Sequence, residues 1–144
     1  MTIHLASDHA GFEHKEALKA YLLEQGVAVI DHGAPIFDEN DDYPDFIAPA
    51  ALAVAQGQDS MGIVFGGSGQ GEAMVANRLN GVRAAVYYGG PDDILTLSRE
   101  HNAANILSIG TRFVSLEEAV RAAKLWLKTA FSGDERHERR LNKF

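Results

Sequence analysis

The chain has 144 residues, of which 46% are hydrophobic and 23% charged, a size and composition typical of one globular domain. Its formal net charge of −7 argues against a nucleic-acid partner, because binding nucleic acid needs a basic surface that neutralises phosphates. The absence of cysteine excludes disulfides, thiolate metal sites and cysteine nucleophiles.

No apolar stretch approaches the roughly 18 residues that a membrane-spanning helix needs. The opening stretch "MTIHLASDHAG" lacks the basic region, apolar run and small-residue cleavage site of a secretion signal. We therefore predict a cytoplasmic protein without a membrane partner.

Five short β-prone runs follow one another along the chain, at residues 2–7, 27–31, 61–66, 82–88 and 105–110. They are apolar on both faces, and stretches of helical spacing separate them, which is typical of a parallel sheet covered by helices on both sides. The sequence predicts a single α/β domain over residues 1–144, with a basic helical tail at about 134–144. Ligands bind such sheets at the carboxyl ends of the strands, so polar residues there are the first candidates for a site.

Two of the intervening segments predict helices clearly. "HKEALKAYLLEQG" has an apolar face and ends at Gly26, while "SLEEAVRAAKLWLKTAFSG" opens with Ser115 three residues before Glu118, a capping-box pattern. A third segment, residues 43–57, contains Pro49, which removes a helical hydrogen bond. We expect that helix to kink or to begin late.

The glycine-rich loop "GGSGQGE", residues 66–72, follows the third run and precedes a helical segment. It lacks the Lys-Ser/Thr pair of a P-loop and the position of a dinucleotide fingerprint. One interpretation is a tight turn, with Glu72 as a first-turn acid favoured by the helix dipole. The other is catalytic: Glu72 is a base that creates an anion, and Ser68 with neighbouring amides stabilises it.

Other candidates lie near the ends of the predicted strands. Asp8 and His9 follow the first run, where such a pair caps a helix, orients a base or, least favoured here, binds metal. His101 and Asn102 precede the last run, and Arg112 follows it. A histidine without polar neighbours such as Asn102 and Arg112 is most often an ordinary surface or core residue.

The tail carries Arg136 and Arg140, whose i,i+4 spacing places both on one helix face suited to a phosphate monoester. The alternative is a solvated basic tail. Taken with the loop and the strand ends, the arginines predict a small phosphorylated substrate. An acid would abstract a proton from it, a histidine or aspartate would handle a hydroxyl proton, and backbone amides would face an enediolate.

Several stretches spread over nearly the whole chain resemble the ribose-5-phosphate isomerase B family, which also includes galactose-6-phosphate and allose-6-phosphate isomerases. They are "ASDHAGFEHK", "DYPDF", "GGSGQGEAMVANR", "VRAA", "REHNAANILSIGTR" and the Arg-rich end. The resemblance implies a Rossmann-like three-layer α/β/α sandwich with a five-stranded parallel sheet. It also implies a homodimer, or a tetramer of paired dimers, with active sites shared between subunits and no metal or organic cofactor.

Carried over residue by residue, the resemblance makes Glu72 the base that moves a proton between C2 and C1. His101 becomes the ring-opening acid/base, with Asp8 and His9 also candidates for handling the sugar ring. The remaining residues implied by the resemblance surround the substrate: Tyr43 lines the pocket, Gly67, Ser68, Gly69, Gly71 and Asn102 lie near the enediolate, and Arg112, Arg136 and Arg140 hold the phosphate, with His9 as a further candidate there.

One departure from the family pattern concerns the base. Many members place a cysteine base in a "CGTG" setting, immediately before the glycine loop. We interpret Phe65, in "FGGSG", as the residue that stands in the place of that cysteine. The chain instead resembles the branch with a glutamate four residues after the serine, as Ser68 and Glu72 are spaced.

The predicted function is an aldose–ketose isomerase of the pentose phosphate pathway that interconverts ribose 5-phosphate and ribulose 5-phosphate through a cis-enediolate. One alternative is the same chemistry on a four-carbon ketose phosphate or a hexose 6-phosphate. Another, from a different class, is a regulatory module that binds a phosphosugar without converting it.

Overall fold

A computed structural model describes residues 1–144. It contains one five-stranded sheet in which every pairing is parallel, with the strand order β2-β1-β3-β5-β4. The strands are β1 (Thr2–Ser7), β2 (Ala28–Asp31), β3 (Ser60–Gly66), β4 (Ala84–Tyr87) and β5 (Ile106–Gly110). Each begins and ends within two residues of the run that predicted it.

Six α-helices connect and follow the strands, and a 3-10 turn over His9–Gly11 precedes the first. The helices are α1 (Phe12–Glu24), α2 (Pro44–Gln56), α3 (Gln70–Ala76), α4 (Asp93–Glu100), α5 (Leu116–Lys128) and α6 (Glu135–Leu141). None of them combines the length and apolar character that crossing a bilayer requires.

Alternating strand residues pack into two hydrophobic cores, one on each face of the sheet. On β3, Ile63 and Phe65 enter the core covered by α1, α4 and α5, whereas Val64 enters the core covered by α2 and α3. All three side chains are fully buried, as expected for a parallel strand with helices on both sides. The three-layer α/β/α sandwich predicted from the sequence is therefore confirmed.

The helix boundaries follow local chemistry. The serine half of the predicted capping box is confirmed, because Ser115 Oγ accepts a hydrogen bond from Glu118 N at 3.2 Å. The Glu118 carboxylate instead accepts from Tyr87 and Arg121. The expected late start of α2 is wrong: the helix begins at Pro44, which suits a first helical position, and continues through Pro49. Pro49 lies on the exposed side of α2, where water can satisfy the carbonyl that loses its helical partner.

Candidate active site

Three loops meet at the carboxyl edge of the sheet, where the central strands β1, β3 and β5 end. Thr111, just after β5, ties them together. Its backbone N donates to Gly66 O at 2.9 Å, and its hydroxyl donates to Ala10 O at 2.9 Å. These bonds join the ends of all three strands, which lead into Asp8, the glycine-rich loop with Glu72, and Arg112.

The glycine-rich loop packs directly against the end of β5. Gly69 has a left-handed backbone (φ 74°), and its carbonyl accepts a hydrogen bond from Ser108 Oγ at 2.6 Å. A Cβ on Gly110 would lie only 2.5 Å from Ser68 O. The close backbone approach and the left-handed turn therefore explain the small residues in this loop.

Glu72 lies in the first turn of α3 and folds back beneath this loop. Its side chain is 4% exposed, and its Oε2 has no hydrogen-bond partner. Burial raises the pKa of the Glu72 carboxyl, the nearby Asp8 adds to the increase, and Arg112 together with backbone amides opposes it. A desolvated carboxyl with a free oxygen is the arrangement of a general base, whereas a dipole-stabilised surface acid would be solvated.

Gly66 leaves room for the Glu72 carboxyl. Its position also shows which residue of this chain corresponds to the cysteine of the "CGTG" pattern. A Cβ on Gly66 would overlap Glu72 Oε1, whereas the Phe65 side chain is fully buried in the core on the other side of the strand. Matching "CGTG" to "GGSG" also places the cysteine at Gly66. The interpretation that Phe65 replaces the cysteine is wrong, because Phe65 faces away from the loop.

The raised pKa of Glu72 is itself testable. We expect its carboxyl to titrate above the ordinary value of about 4.3, because ionisation in the closed loop loses hydration. Carbon-13 spectra of side-chain carboxyls, compared between the wild type and Glu72→Gln without ligand, identify the signal. A titration at or below the ordinary glutamate value would contradict the desolvated site.

Asp8 performs the capping role that the sequence left open. Its Oδ1 accepts hydrogen bonds from the amides of Ala10 at 3.0 Å and Gly11 at 3.3 Å, which starts the turn before α1. The carboxyl is only 7% exposed and lies close enough to Glu72 to influence its pKa. Asp8 therefore both caps the turn before α1 and lies close to Glu72.

His9 has a partner that the sequence reasoning missed. Asp41 Oδ1 accepts from the His9 backbone N at 3.0 Å and pairs with His9 Nδ1 at 2.6 Å. The hydrogen bond to Asp41 is the main reason that the pKa of His9 is raised. Asp41 lies in the irregular loop between β2 and α2, where no periodicity marks it. Its position next to "DYPDF" was the only available signal.

Tyr43 and Arg112 cover the two ends of the glycine-rich loop. A Cβ on Gly71 would lie 2.7 Å from the Tyr43 hydroxyl, and one on Gly67 would lie 3.0 Å from Arg112 Cζ. Both glycines therefore allow a polar side chain to approach the loop backbone. Arg112 is exposed, and its positive charge opposes the rise in the Glu72 pKa.

One group of side chains has metal-ligand geometry: atoms of Asp8, His9 and Asp41 lie within 4.8 Å of one another. Their hydrogen bonds already account for the arrangement, because Asp8 caps a turn and His9 donates to Asp41. We therefore interpret the group as a cap beside a histidine–carboxylate pair.

The remaining candidates lie at the opposite, amino edge of the sheet. His101 and Asn102 precede β5, and Arg83, at the start of β4, donates to Asn102 O at 3.2 Å. Helix α6 packs here as well, because His137 stacks on His101 with ring centroids 4.2 Å apart. The length of β5, about 16 Å for five residues, separates this group from Gly66 and Glu72.

A cleft of about 790 Å³ also opens at the amino edge, beside Arg83, Asn102, Leu141 and Phe144. It does not include Glu72. Arg136 and Arg140 lie on α6 nearby. Neither forms an ion pair, because Arg121 is the only arginine of this chain that does. Both guanidinium groups are therefore available to a ligand, although one chain does not bring them to its own Glu72.

Comparison with known proteins identifies the family. A family model described as Ribose/Galactose Isomerase matches residues 3–144. Ribose-5-phosphate isomerase B of Mycolicibacterium paratuberculosis is 41% identical over 142 residues, which are 99% of this chain and 88% of that protein. The protein of the same name from Escherichia coli is 40% identical over 134 residues, 93% of this chain and 87% of that protein.

Solved structures agree with the sequence comparison. Ribose-5-phosphate isomerase B from Mycoplasma genitalium with bound ribulose-5-phosphate has a TM-score of 0.93 at 38% identity, covering 99% of this chain and 92% of that one. The structure from Clostridium thermocellum has a TM-score of 0.92 at 42% identity, covering 99% and 94%. The chain belongs to the ribose/galactose isomerase family, and the resemblance to ribose-5-phosphate isomerase B is confirmed.

Proposed function

We propose that this protein is an aldose–ketose isomerase that interconverts ribose 5-phosphate and ribulose 5-phosphate through a cis-enediolate. The observation that carries the proposal is the buried Glu72 carboxyl, with its free oxygen beneath the glycine-rich loop. Two relatives named ribose-5-phosphate isomerase B support the choice of substrate, as does a related structure with bound ribulose-5-phosphate.

In the proposed mechanism, Glu72 takes the proton from C2 of the open-chain aldose and returns it to C1. The electron pair left by the C2–H bond forms the enediol double bond while negative charge develops on the C1 oxygen. As C1 takes the proton back, the C2 hydroxyl gives its proton to the C1 oxygen through a neighbouring histidine or aspartate, and the carbonyl re-forms at C2. Amides of Gly67, Ser68 and Gly69 stabilise the negative charge on the C1 oxygen, with Gly71 and the Ser68 hydroxyl beside them. A base with a raised pKa suits this step, because transfer from a weakly acidic carbon needs a strong acceptor.

The other carboxyl-edge residues bind the rest of the substrate. Tyr43 closes one end of the pocket, Arg112 beside Gly67 binds the phosphate, and Asp8 and His9 contact the sugar hydroxyls. We propose no metal or organic cofactor for this reaction, since a carboxylate base and amide donors can supply the required chemistry.

We further propose that the protein functions as a homodimer whose active sites combine residues of both chains. The amino-edge group consists of His101, Asn102, Arg136 and Arg140, and in one chain it lies a strand's length from Glu72. In a two-fold dimer, each chain can bring this group to its partner's carboxyl edge, where His101 opens the ring and the arginines bind the phosphate.

The substrate assignment is tested by assaying isomerisation of four-, five- and six-carbon aldose and ketose phosphates. We expect the highest kcat/KM for the ribose 5-phosphate and ribulose 5-phosphate pair. A higher value for a hexose 6-phosphate or a four-carbon ketose phosphate would change the substrate but keep the chemistry. Binding without any turnover would indicate a phosphosugar-binding regulatory module instead.

If α6 binds the phosphate, removing the charge of its arginines should raise KM. We expect Arg136→Gln and Arg140→Gln each to raise KM roughly tenfold or more, because each removes a charged hydrogen bond to phosphate, while kcat changes less. Arg139→Gln is the matched control, since Arg139 lies on the side of α6 away from the buried His137. Steady-state kinetics measure the effect, and an equal KM in all three variants would contradict the assignment.

A further inference from the structure

The loop between β2 and α2 supplies one carboxylate, Asp41, whose surroundings are unusual. Its side chain is 10% exposed, and its Oδ2 has no hydrogen-bond partner. The other oxygen, Oδ1, accepts from the His9 backbone N at 3.0 Å and pairs with His9 Nδ1 at 2.6 Å. His9 is therefore the only ion-pair partner that this nearly buried carboxylate has.

This pairing fixes which nitrogen of the His9 imidazole donates to Asp41. An ionised carboxylate only accepts hydrogen bonds, so Nδ1 must carry the hydrogen that Asp41 accepts. The ring edge is also held by Phe37, at 6.2 Å between centroids in a T-shaped contact. The other nitrogen, Nε2, makes no hydrogen bond, and a third of the side chain is exposed toward the carboxyl edge.

We infer that Asp41 is a positioning residue that holds His9 as a cation with its Nε2–H directed at an oxygen of the bound sugar phosphate. The inference rests on the proposed function for the identity of that ligand. It parallels the carboxylate–histidine pairs that set the tautomer and orientation of imidazoles elsewhere. Asp41 itself does not need to touch the substrate.

The local charges favour the cationic form of His9. The charged groups that act on the ring are Asp8 at the end of β1 and Asp38 and Asp41 on the β2–α2 loop, and all three raise the pKa of His9. Deprotonating His9 would leave Asp41 as a desolvated carboxylate without a counter-charge, which is costly. Substrate binding through His9 should therefore weaken as pH rises through its raised pKa.

The test compares Asp41→Asn with Asp38→Asn. Both remove one negative charge from the same loop, but Asp38 is exposed and its carboxyl accepts only from Asn40 N, at 3.0 Å. We expect Asp41→Asn to lower the His9 pKa measured by NMR, with the signal assigned by its loss in His9→Gln. KM should then begin to rise at lower pH, about tenfold per pH unit above the His9 pKa, while kcat changes little.

The expected pattern is specific to a residue acting through His9. At acid pH, where both proteins hold His9 protonated, the KM values of Asp41→Asn and wild type should converge. In a His9→Gln background, Asp41→Asn should add no further change in KM. An Asp41→Asn protein that matches Asp38→Asn in both the His9 titration and KM would overturn the inference.

Two further outcomes are also decisive. If Asp41→Asn fails to fold, the wild-type titration decides, because a His9 pKa at or below the ordinary histidine value of about 6.5 overturns the inference. If the wild type converts no sugar phosphate, the proposed function fails. The His9 titration in Asp41→Asn then still tests the Asp41–His9 pair, because it needs no substrate.

Discussion

Replacing Glu72 with glutamine is expected to lower kcat by about 10² to 10⁴, the range that a general base contributes. KM should change little, because the amide is nearly isosteric and the arginines that bind the phosphate remain. The measurement is steady-state isomerisation of ribose 5-phosphate, together with binding of a sugar-phosphate acid analogue. Retention of wild-type kcat would remove Glu72 from the mechanism.

The stability of this variant separates a lost base from a damaged fold. Because the pKa of Glu72 is raised in the folded state, the folded protein binds the proton more tightly than the unfolded chain. Stability contributed by this group therefore falls as pH rises through the interval between the unfolded and folded pKa values. Glutamine carries no such cost, so Glu72→Gln should be at least as stable as wild type at neutral pH.

A matched control addresses the alternative that Glu72 only complements a helix dipole. Glu117 also lies in a first helical turn, at the start of α5, but it is exposed. Under the dipole interpretation, Glu117→Gln and Glu72→Gln should both lose a few tenths of a kcal/mol of stability and keep their activity. Under the catalytic interpretation, only Glu72→Gln loses activity.

Pairing two inactive chains is expected to restore activity. One chain carries Glu72→Gln and the other carries Arg136→Glu with Arg140→Glu. Each homodimer should be nearly inactive, because both of its sites either lack the base or carry two acidic residues in place of two phosphate-binding arginines. In a mixed dimer with shared sites, one site receives both defects and the other receives none, so about half of the wild-type activity per dimer returns.

Co-expressing the two chains with different affinity tags and purifying the doubly tagged protein isolates the mixed dimer. If each site were built within one chain, both sites would remain defective and the mixed dimer would be inactive. Failure to recover any doubly tagged protein would also contradict a shared site. The Arg139→Glu chain paired with Glu72→Gln provides the reference, since one of the two sites in that mixed dimer keeps Glu72, Arg136 and Arg140 under either arrangement.

Much of the fold followed from the sequence because apolar strand residues and helix caps act locally. The five β-prone runs and the Ser115 cap needed no knowledge of distant residues, and the strand order then placed Asp8, Glu72 and Arg112 at one edge. The two interpretations of Glu72 could not be separated in the same way. Its burial beneath Gly66 depends on how α3 folds back on its own loop.

Other features depended on tertiary contacts that no local pattern encodes. Asp41 lies in a loop without periodicity, and only the folded chain brings it to His9. The stacking of His137 on His101 likewise joins the tail to a helix end 36 residues earlier, and burial lowers the pKa of His137. The position of His101 at the amino edge, in contrast, followed from its place just before a parallel strand.

The most direct test of the central claim follows the C2–H bond itself. Ribose 5-phosphate deuterated at C2 is incubated with the wild type and with Glu72→Gln, and NMR detects the loss of deuterium from C2. The wild type should break this bond and deliver the label to C1 of ribulose 5-phosphate or to water, while Glu72→Gln should bind the sugar and leave the bond intact. A Glu72→Gln protein that breaks the bond at the wild-type rate, or a wild type that binds the sugar and never breaks it, would contradict the account.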